Sequence, residues 1–282
     1  MHKSKALILS LPLLALLALP LQAMQVDVPQ EVGRGEPFWI KLESERKPLG
    51  MEISWLDKSM LLPLDLPGEQ SFLLGAGLED QGEQTLLLKL YWGDHQEERT
   101  YRISIKDKQY PKQHLTLPEE MVEPPQEALE RIKQESREIN AALGTITLER
   151  YWTEDFSRPL SGEVSSQFGL KRYLNGEPRS AHKGVDLKGQ KGTPVRAMAR
   201  GKIALSGDFY FGGKTVLLNH GQGLHSIYMH LSSIQVEEKQ MVQGGEVIGQ
   251  VGSTGRSTGP HLHLGVYLQG QAVDPMYLLR QE

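Results

Sequence analysis

The chain of 282 residues contains no cysteine. That absence excludes a disulfide framework, a thiolate nucleophile, a thiolate metal ligand and a lipid attached through cysteine. Any metal must therefore rest on His, Asp or Glu. Charge of one sign is not in marked excess either: 31 Lys and Arg stand against 35 Asp and Glu. Nucleic acid is accordingly not an expected partner. An apolar run from Ala6 to Leu19 follows the basic Lys3 and Lys5, but it is short for a bilayer core of about 30 Å and carries Pro12. With the small residue Ala23 behind it, residues 1–23 read as a cleaved export signal, which leaves no stable membrane anchor.

Beyond residue 23 the chain is mostly β in texture. Residues 24–107 carry short alternating segments, among them "EPFWIKLES", "MEISWLD", "QTLLLKLYW" and "RTYRISI", broken by turn residues. They predict a β-sandwich-like N-terminal domain with no site chemistry of its own. Residues 108–158 form a linker: a proline-rich extended stretch, then "EALERIKQESREINAAL", in which Leu129, Ile132, Ile139 and Leu143 recur at helical spacing. That stripe predicts one amphipathic helix packed on a domain and tying the two domains together. Residues 159–282 are rich in glycine and short apolar runs, and helical periodicity nearly vanishes. A compact antiparallel β domain is expected there, with tight glycine turns, most plainly at "GQG" (221–223).

Six of the nine histidines fall in that last domain: His182, His220, His225, His230, His261 and His263. In "HKGVD", His182 and Asp186 lie four residues apart and can face one way in a helix or a strand, with a loop entering a strand favoured by Gly184. In "HLH", the strand period of two places His261 and His263 on one face. Together they offer a His/Asp/His set suited to zinc, and spacing alone allows either or both histidines of "HLH" to bind it. His220 and His225 flank the "GQG" turn and read as hairpin-surface residues. Tyr228, two residues before His230, reads either as facing a cleft or as packing in a core. The glycines of 244–259 read as turn formers, and Asn175 to Pro178 as a loop at a cleft rim.

Taken in order, "SSQFG", "HKGVDL", "GTPVRA", "GKTVLLNHGQG", "YMHLS", "GEVIGQVGSTGRSTGPHLH" and "VDPMYLL" resemble the catalytic domain of the M23 zinc metallopeptidases, the lysostaphin or LytM type of peptidoglycan endopeptidase, across residues 160–280. The linker is similar to that of a Gram-negative branch of the family. The resemblance implies one zinc ion held by His182, Asp186 and His263, with His230 and His261 as nonligand catalytic histidines beside the metal-activated water. It also implies peptidoglycan stem peptides as substrate and the periplasm as location. The general-base glutamate of an H-E-x-x-H peptidase is missing, and histidine is the available substitute. Two departures touch substrate contacts and ligand tuning: Lys171 stands where many relatives have arginine, with Arg172 next to it, and Gly265 where many have glutamate. A noncatalytic activator of wall amidases, and a zinc peptidase acting on other peptides, are the competing expectations. The sandwich and linker are expected to restrict or direct access to the cleft.

Overall fold

The structure is a computed structural model that describes residues 24–64, 68–116 and 123–280; residues 1–23, and with them the expected export signal, lie outside the described residues. The N-terminal domain holds β1 (Gln25–Asp27), β2 (Glu31–Gly33), β3 (Pro37–Ser44), β4 (Gly50–Trp55), β5 (Lys58–Leu62), β6 (Gly68–Gly75), β7 (Gly82–Tyr91) and β8 (Gln96–Lys106). They form a three-stranded sheet, β1-β3-β6, and a five-stranded sheet, β2-β8-β7-β4-β5. Alternation drives the pairing: Phe38, Ile40 and Leu42 of β3 turn inward, as do Leu86, Leu88 and Leu90 of β7, all buried in one core.

The linker contributes β9 (Lys112–Leu115) and α1 (Leu129–Leu143). The rest of the chain supplies β10 (Val164–Ser166), β11 (Lys171–Leu174), β12 (Glu177–Pro178), β13 (Val185–Lys188), β14 (Pro194–Arg196), β15 (Gly201–Phe209), β16 (Gly213–Gly221), β17 (Leu224–Leu231), β18 (Ser233–Ile234), β19 (Met241–Val242), β20 (Val247–Gln250), β21 (His261–Leu268) and β22 (Gln271–Val273). An eight-stranded antiparallel sheet in the order β10-β13-β21-β17-β16-β15-β19, with β22 beside β21, is its backbone. One face of that sheet buries Leu218, Leu224, Tyr228, Leu262, Leu264 and Val266 in the domain core.

The opposite face is covered at one end by α1. Leu143 and its partly buried neighbours Ile139 and Ala142 pack on Leu217 and Ile227, with Leu205, Met229 and Tyr267 around them. The helix therefore docks on the C-terminal domain alone, not between the two. Other parts of the linker hold the domains together. Tyr110 donates to Arg34 O at 2.6 Å, Trp152 packs against Trp39 at 5.8 Å between ring centroids, and Arg150 donates to Ser71 O at 2.8 Å. Beyond the linker, Leu73 of β6 inserts into the C-terminal core. β9 adds itself in parallel to β11, completing a small sheet in the order β12-β11-β9.

The "GQG" turn joins β16 to β17 with positive φ at all three residues. It is nevertheless buried, because linker residues run over it: Gln222 N donates to Thr147 O at 3.0 Å and Tyr151 N to His220 O at 3.0 Å. This overturns the surface reading of His220 and His225, both of which are fully buried.

Candidate metal centre

Cross-strand register builds the centre. Asp186 of β13 stands directly opposite His263 of β21, so both side chains leave the sheet on the same face, with His261 two residues away on that face. His182 enters from the loop before β13, held there by two backbone bonds, Gly169 N to His182 O at 2.8 Å and His182 N to Leu170 O at 3.0 Å. Gly184 makes the approach possible: a Cβ there would stand 2.4 Å from Leu264 O and 2.8 Å from the His263 ring. The outcome is a tight triangle. His182 Nε2 lies 3.0 Å from His263 Nδ1 and 3.0 Å from Asp186 Oδ1, and His263 Nδ1 lies 2.9 Å from the same oxygen.

The donor set fits a cation. His182 Nδ1 is within 2.9 Å of Gln167 O, which can only accept, so that nitrogen carries the proton and Nε2 turns a lone pair inward. Burial pushes the Asp186 carboxyl up, but the imidazoles of His182 and His263 packed against it outweigh that and hold the group well below the usual carboxylate range. Two imidazole nitrogens and one ionised carboxylate oxygen thus converge with too few protons between them to satisfy every pair. Arg172 fixes the other carboxylate oxygen, donating to Asp186 Oδ2 at 3.2 Å, and also donates to Gln113 of β9 at 3.3 Å. His182, Asp186 and His263 are the cluster among the described residues placed to hold a metal ion.

His230 and His261 lie beside this triangle, their rings 4.8 Å apart and His230 6.2 Å from His263. Backbone carbonyls fix both tautomers: His230 Nδ1 donates to Thr254 O at 2.9 Å, and His261 Nδ1 to Gly259 O at 2.8 Å. Each Nε2 is left as a lone pair, and that of His261 lies 3.9 Å from Asp186 Oδ1. Burial, and next the neighbouring His263, lower the His230 pKa to about 4, so its ring is neutral at pH 7.

Strand alternation would send His230 to the core face with Tyr228. Its φ of +64° breaks the alternation, and His230 N donates to Gly212 O at 2.8 Å instead. A non-glycine residue in this region is a stored strain of a kind found at functional sites. Tyr228, for its part, packs in the core, its hydroxyl accepting from Met198 N at 2.8 Å.

All five predicted site residues line one groove of about 630 Å³. Ile132, Glu135 and Ile139 of α1 and Leu115 of β9 form part of its wall, and Arg172 approaches it from β11 and Arg179, Lys183 and Arg256 from the loops. The linker, expected to restrict or direct access to the cleft, supplies part of its wall, and the only sequence signal for which of its residues do so is the apolar stripe of α1. The carbonyls of Gln167, Thr254 and Gly259 were missed; backbone acceptors leave no trace in a sequence.

This fold with this constellation defines a metallopeptidase class. Residues 180–275 match Peptidase family M23. The crystal structure of a Pseudomonas aeruginosa protein described as a putative M23 peptidase is 31% identical and superposes with a TM-score of 0.67, covering 87% of this chain and 93% of that one. The chain belongs to the M23 peptidase family. Over 113 residues, 40% of this chain, it is 44% identical to the DD-carboxypeptidase/endopeptidase Mpg of Neisseria meningitidis. Over 114 residues it is 37% identical to the peptidoglycan DD-endopeptidase ShyA of Vibrio cholerae, again across 40% of this chain. Each of these matches covers 26% of the relative, so the chain spans about a quarter of the length of those curated proteins.

Proposed function

We propose that the protein is an exported zinc endopeptidase that hydrolyses peptide cross-links of peptidoglycan in the periplasm. The observation that carries this reading is the convergence of His182 Nε2, Asp186 Oδ1 and His263 Nδ1 to about 3.0 Å, beside two imidazoles whose tautomers are fixed by carbonyls. Relatives named as endopeptidases, one of them of peptidoglycan, support the substrate class. His182, Asp186 and His263 would hold zinc, which supplies Lewis acidity and lowers the pKa of water toward about 7.

The protein's own residues bind, orient and move protons. The groove between α1 and the loops binds an extended peptide and places its scissile amide over the triangle. His230 and His261, each with Nδ1 held by a backbone carbonyl and Nε2 turned to the centre, accept hydrogen bonds from the attacking water and orient it. One of them takes the water's proton at Nε2 and delivers it to the leaving amine as the C–N bond breaks. Arg172, 3.2 Å from Asp186 Oδ2, holds the carboxylate so that Oδ1 faces the two imidazoles.

The test is mass spectrometry of fragments released from purified Gram-negative sacculi incubated with the mature protein, with zinc and with chelator. Zinc-dependent conversion of cross-linked dimers to monomers is the expected result. Intact cross-links under both conditions would overturn the reading and return weight to an amidase activator or to a different peptide substrate.

A further inference from the structure

The loop between β20 and β21 carries a cation that the proposed hydrolysis does not use. Arg256 N donates to Phe211 O at 2.9 Å, and its guanidinium carbon sits 4.3 Å from the centroid of the Phe211 ring. The loop around it is pinned. Thr254 Oγ1 accepts from Lys214 N at 2.9 Å and donates to Leu231 O at 2.7 Å, while Ser257 Oγ donates to Gly259 O at 2.8 Å. Gly255, at φ +68°, fits so closely that a Cβ would stand 2.3 Å from Gly213 N.

Three arginines gather at this rim, and two are satisfied. Arg172 is paired with Asp186 at 3.2 Å and Arg179 with Glu123 at 3.7 Å. Arg256 has no ion-pair partner among the described residues, and its side chain is exposed along the groove. The nearby Glu135 is already engaged by Arg131 and by Tyr210 N, the latter at 2.7 Å. Crowding by protein, and next the like charges of Arg172 and Arg179, lower the Arg256 pKa from the ordinary guanidinium value. The groove edge is thus positively charged on a chain whose net charge is -4.

Position gives this cation its use. The carbonyls that orient His230 and His261 belong to Thr254 and Gly259, on either side of Arg256 in one pinned loop. A group seated on Arg256 is therefore held in fixed register with the reacting amide. We infer that Arg256 is a specificity-determining residue that pairs with a free carboxylate of the bound peptide close to the scissile bond. Guanidinium matches a carboxylate in a two-pronged geometry, and the Phe211 ring holds it flat and extended for that contact. The inference rests on the peptidase reading for its substrate, but its binding prediction stands apart from turnover.

The experiment uses the full chain and a fluorescein-labelled synthetic muropeptide dimer with free carboxylates, together with derivatives in which the terminal and the side-chain carboxylates are amidated one at a time. Binding is read by fluorescence anisotropy in chelator, and cleavage separately with zinc. Amidation of one carboxylate is expected to weaken binding about tenfold, as for a lost charged hydrogen bond. Which derivative suffers identifies the carboxylate that is read. In R256Q the ratio between the free and amidated peptides falls to near one, and in R256K part of it survives. Equal affinities of the wild type for all peptides would overturn the inference, as would an R256Q protein that keeps the wild-type ratio while binding every peptide more weakly. A preserved preference without zinc-dependent cleavage would overturn the peptidase reading and leave this one standing.

Discussion

Two groups of histidines share the C-terminal domain and differ in what their nitrogens meet. His182, His230, His261 and His263 gather at one end of the sheet, each with one nitrogen turned toward a common centre. His220 and His225 are buried near the other end. His220 is satisfied on both sides, with Nδ1 2.9 Å from Arg200 O and Nε2 2.7 Å from Ser226 Oγ, whose hydroxyl is 3.0 Å from that of Tyr228. Among the described residues, His225 finds no hydrogen-bond partner for either ring nitrogen. Burial does not separate the groups, since His182 and His220 are both nearly inaccessible. Surroundings do: a carbonyl behind His182, His230 and His261 leaves each a lone pair facing other polar groups, whereas His220 is closed into a network and His225 faces no polar partner.

The largest effect should come from the triangle. His182→Ala or Asp186→Ala is expected to lose zinc and about a thousandfold or more of activity together, read by metal analysis of purified protein beside muropeptide release. Retained zinc in both variants would break the assignment of ligands. His230→Ala should keep zinc yet lose about 10²- to 10⁴-fold in kcat; full activity would remove it from the proton chemistry. Next comes Gly184→Ala, whose Cβ must push Leu264 O and the His263 ring. Zinc affinity should fall about 10- to 100-fold, as when the orientation of a ligand is disturbed, and unchanged affinity in a titration would show that the loop can yield.

The buried pair should report on stability alone. His220→Ala leaves Arg200 O and Ser226 Oγ short of a partner and should cost about 2 kcal/mol in denaturant unfolding, with zinc content unchanged. His225→Leu exchanges an unpartnered ring for an apolar side chain and should be neutral or stabilising. Burial lowers both pKa values to about 4, below the ordinary histidine value of 6.5. The unfolded chain therefore binds protons that the folded one refuses. Their contribution is fully present above pH 6.5 and is lost as pH falls toward 4. Melting temperature should drop through that window, and less steeply in His225→Leu. A slope unaltered by that substitution would separate His225 from acid sensitivity.

Local pattern made much of this legible. Alternation in "PFWIKLES" marked β3, and the helical spacing of Leu129 to Leu143 marked α1. The pairing of His261 with His263 on one face followed from the strand period. The reading failed where distant segments intervene. Tyr228 had two readings, cleft or core, and the core one holds because a single left-handed residue at His230 parts the two side chains. Solvent was expected at the "GQG" turn, and the backbone of residues 147–151 covers it. Neither the strain nor the cover is encoded within a few residues of the site, so neither could be read there.

The wall supplied by α1 and β9 has a pharmacological consequence. Leu115, Ile132, Glu135 and Ile139 all precede the stretch matched to the family, residues 180–275. A compound that only chelates metal addresses the His/Asp/His arrangement and has little reason to distinguish one such peptidase from another. A compound extended from that anchor to rest on Ile132 and Ile139 and to meet Glu135 would draw its selectivity from the linker of this chain.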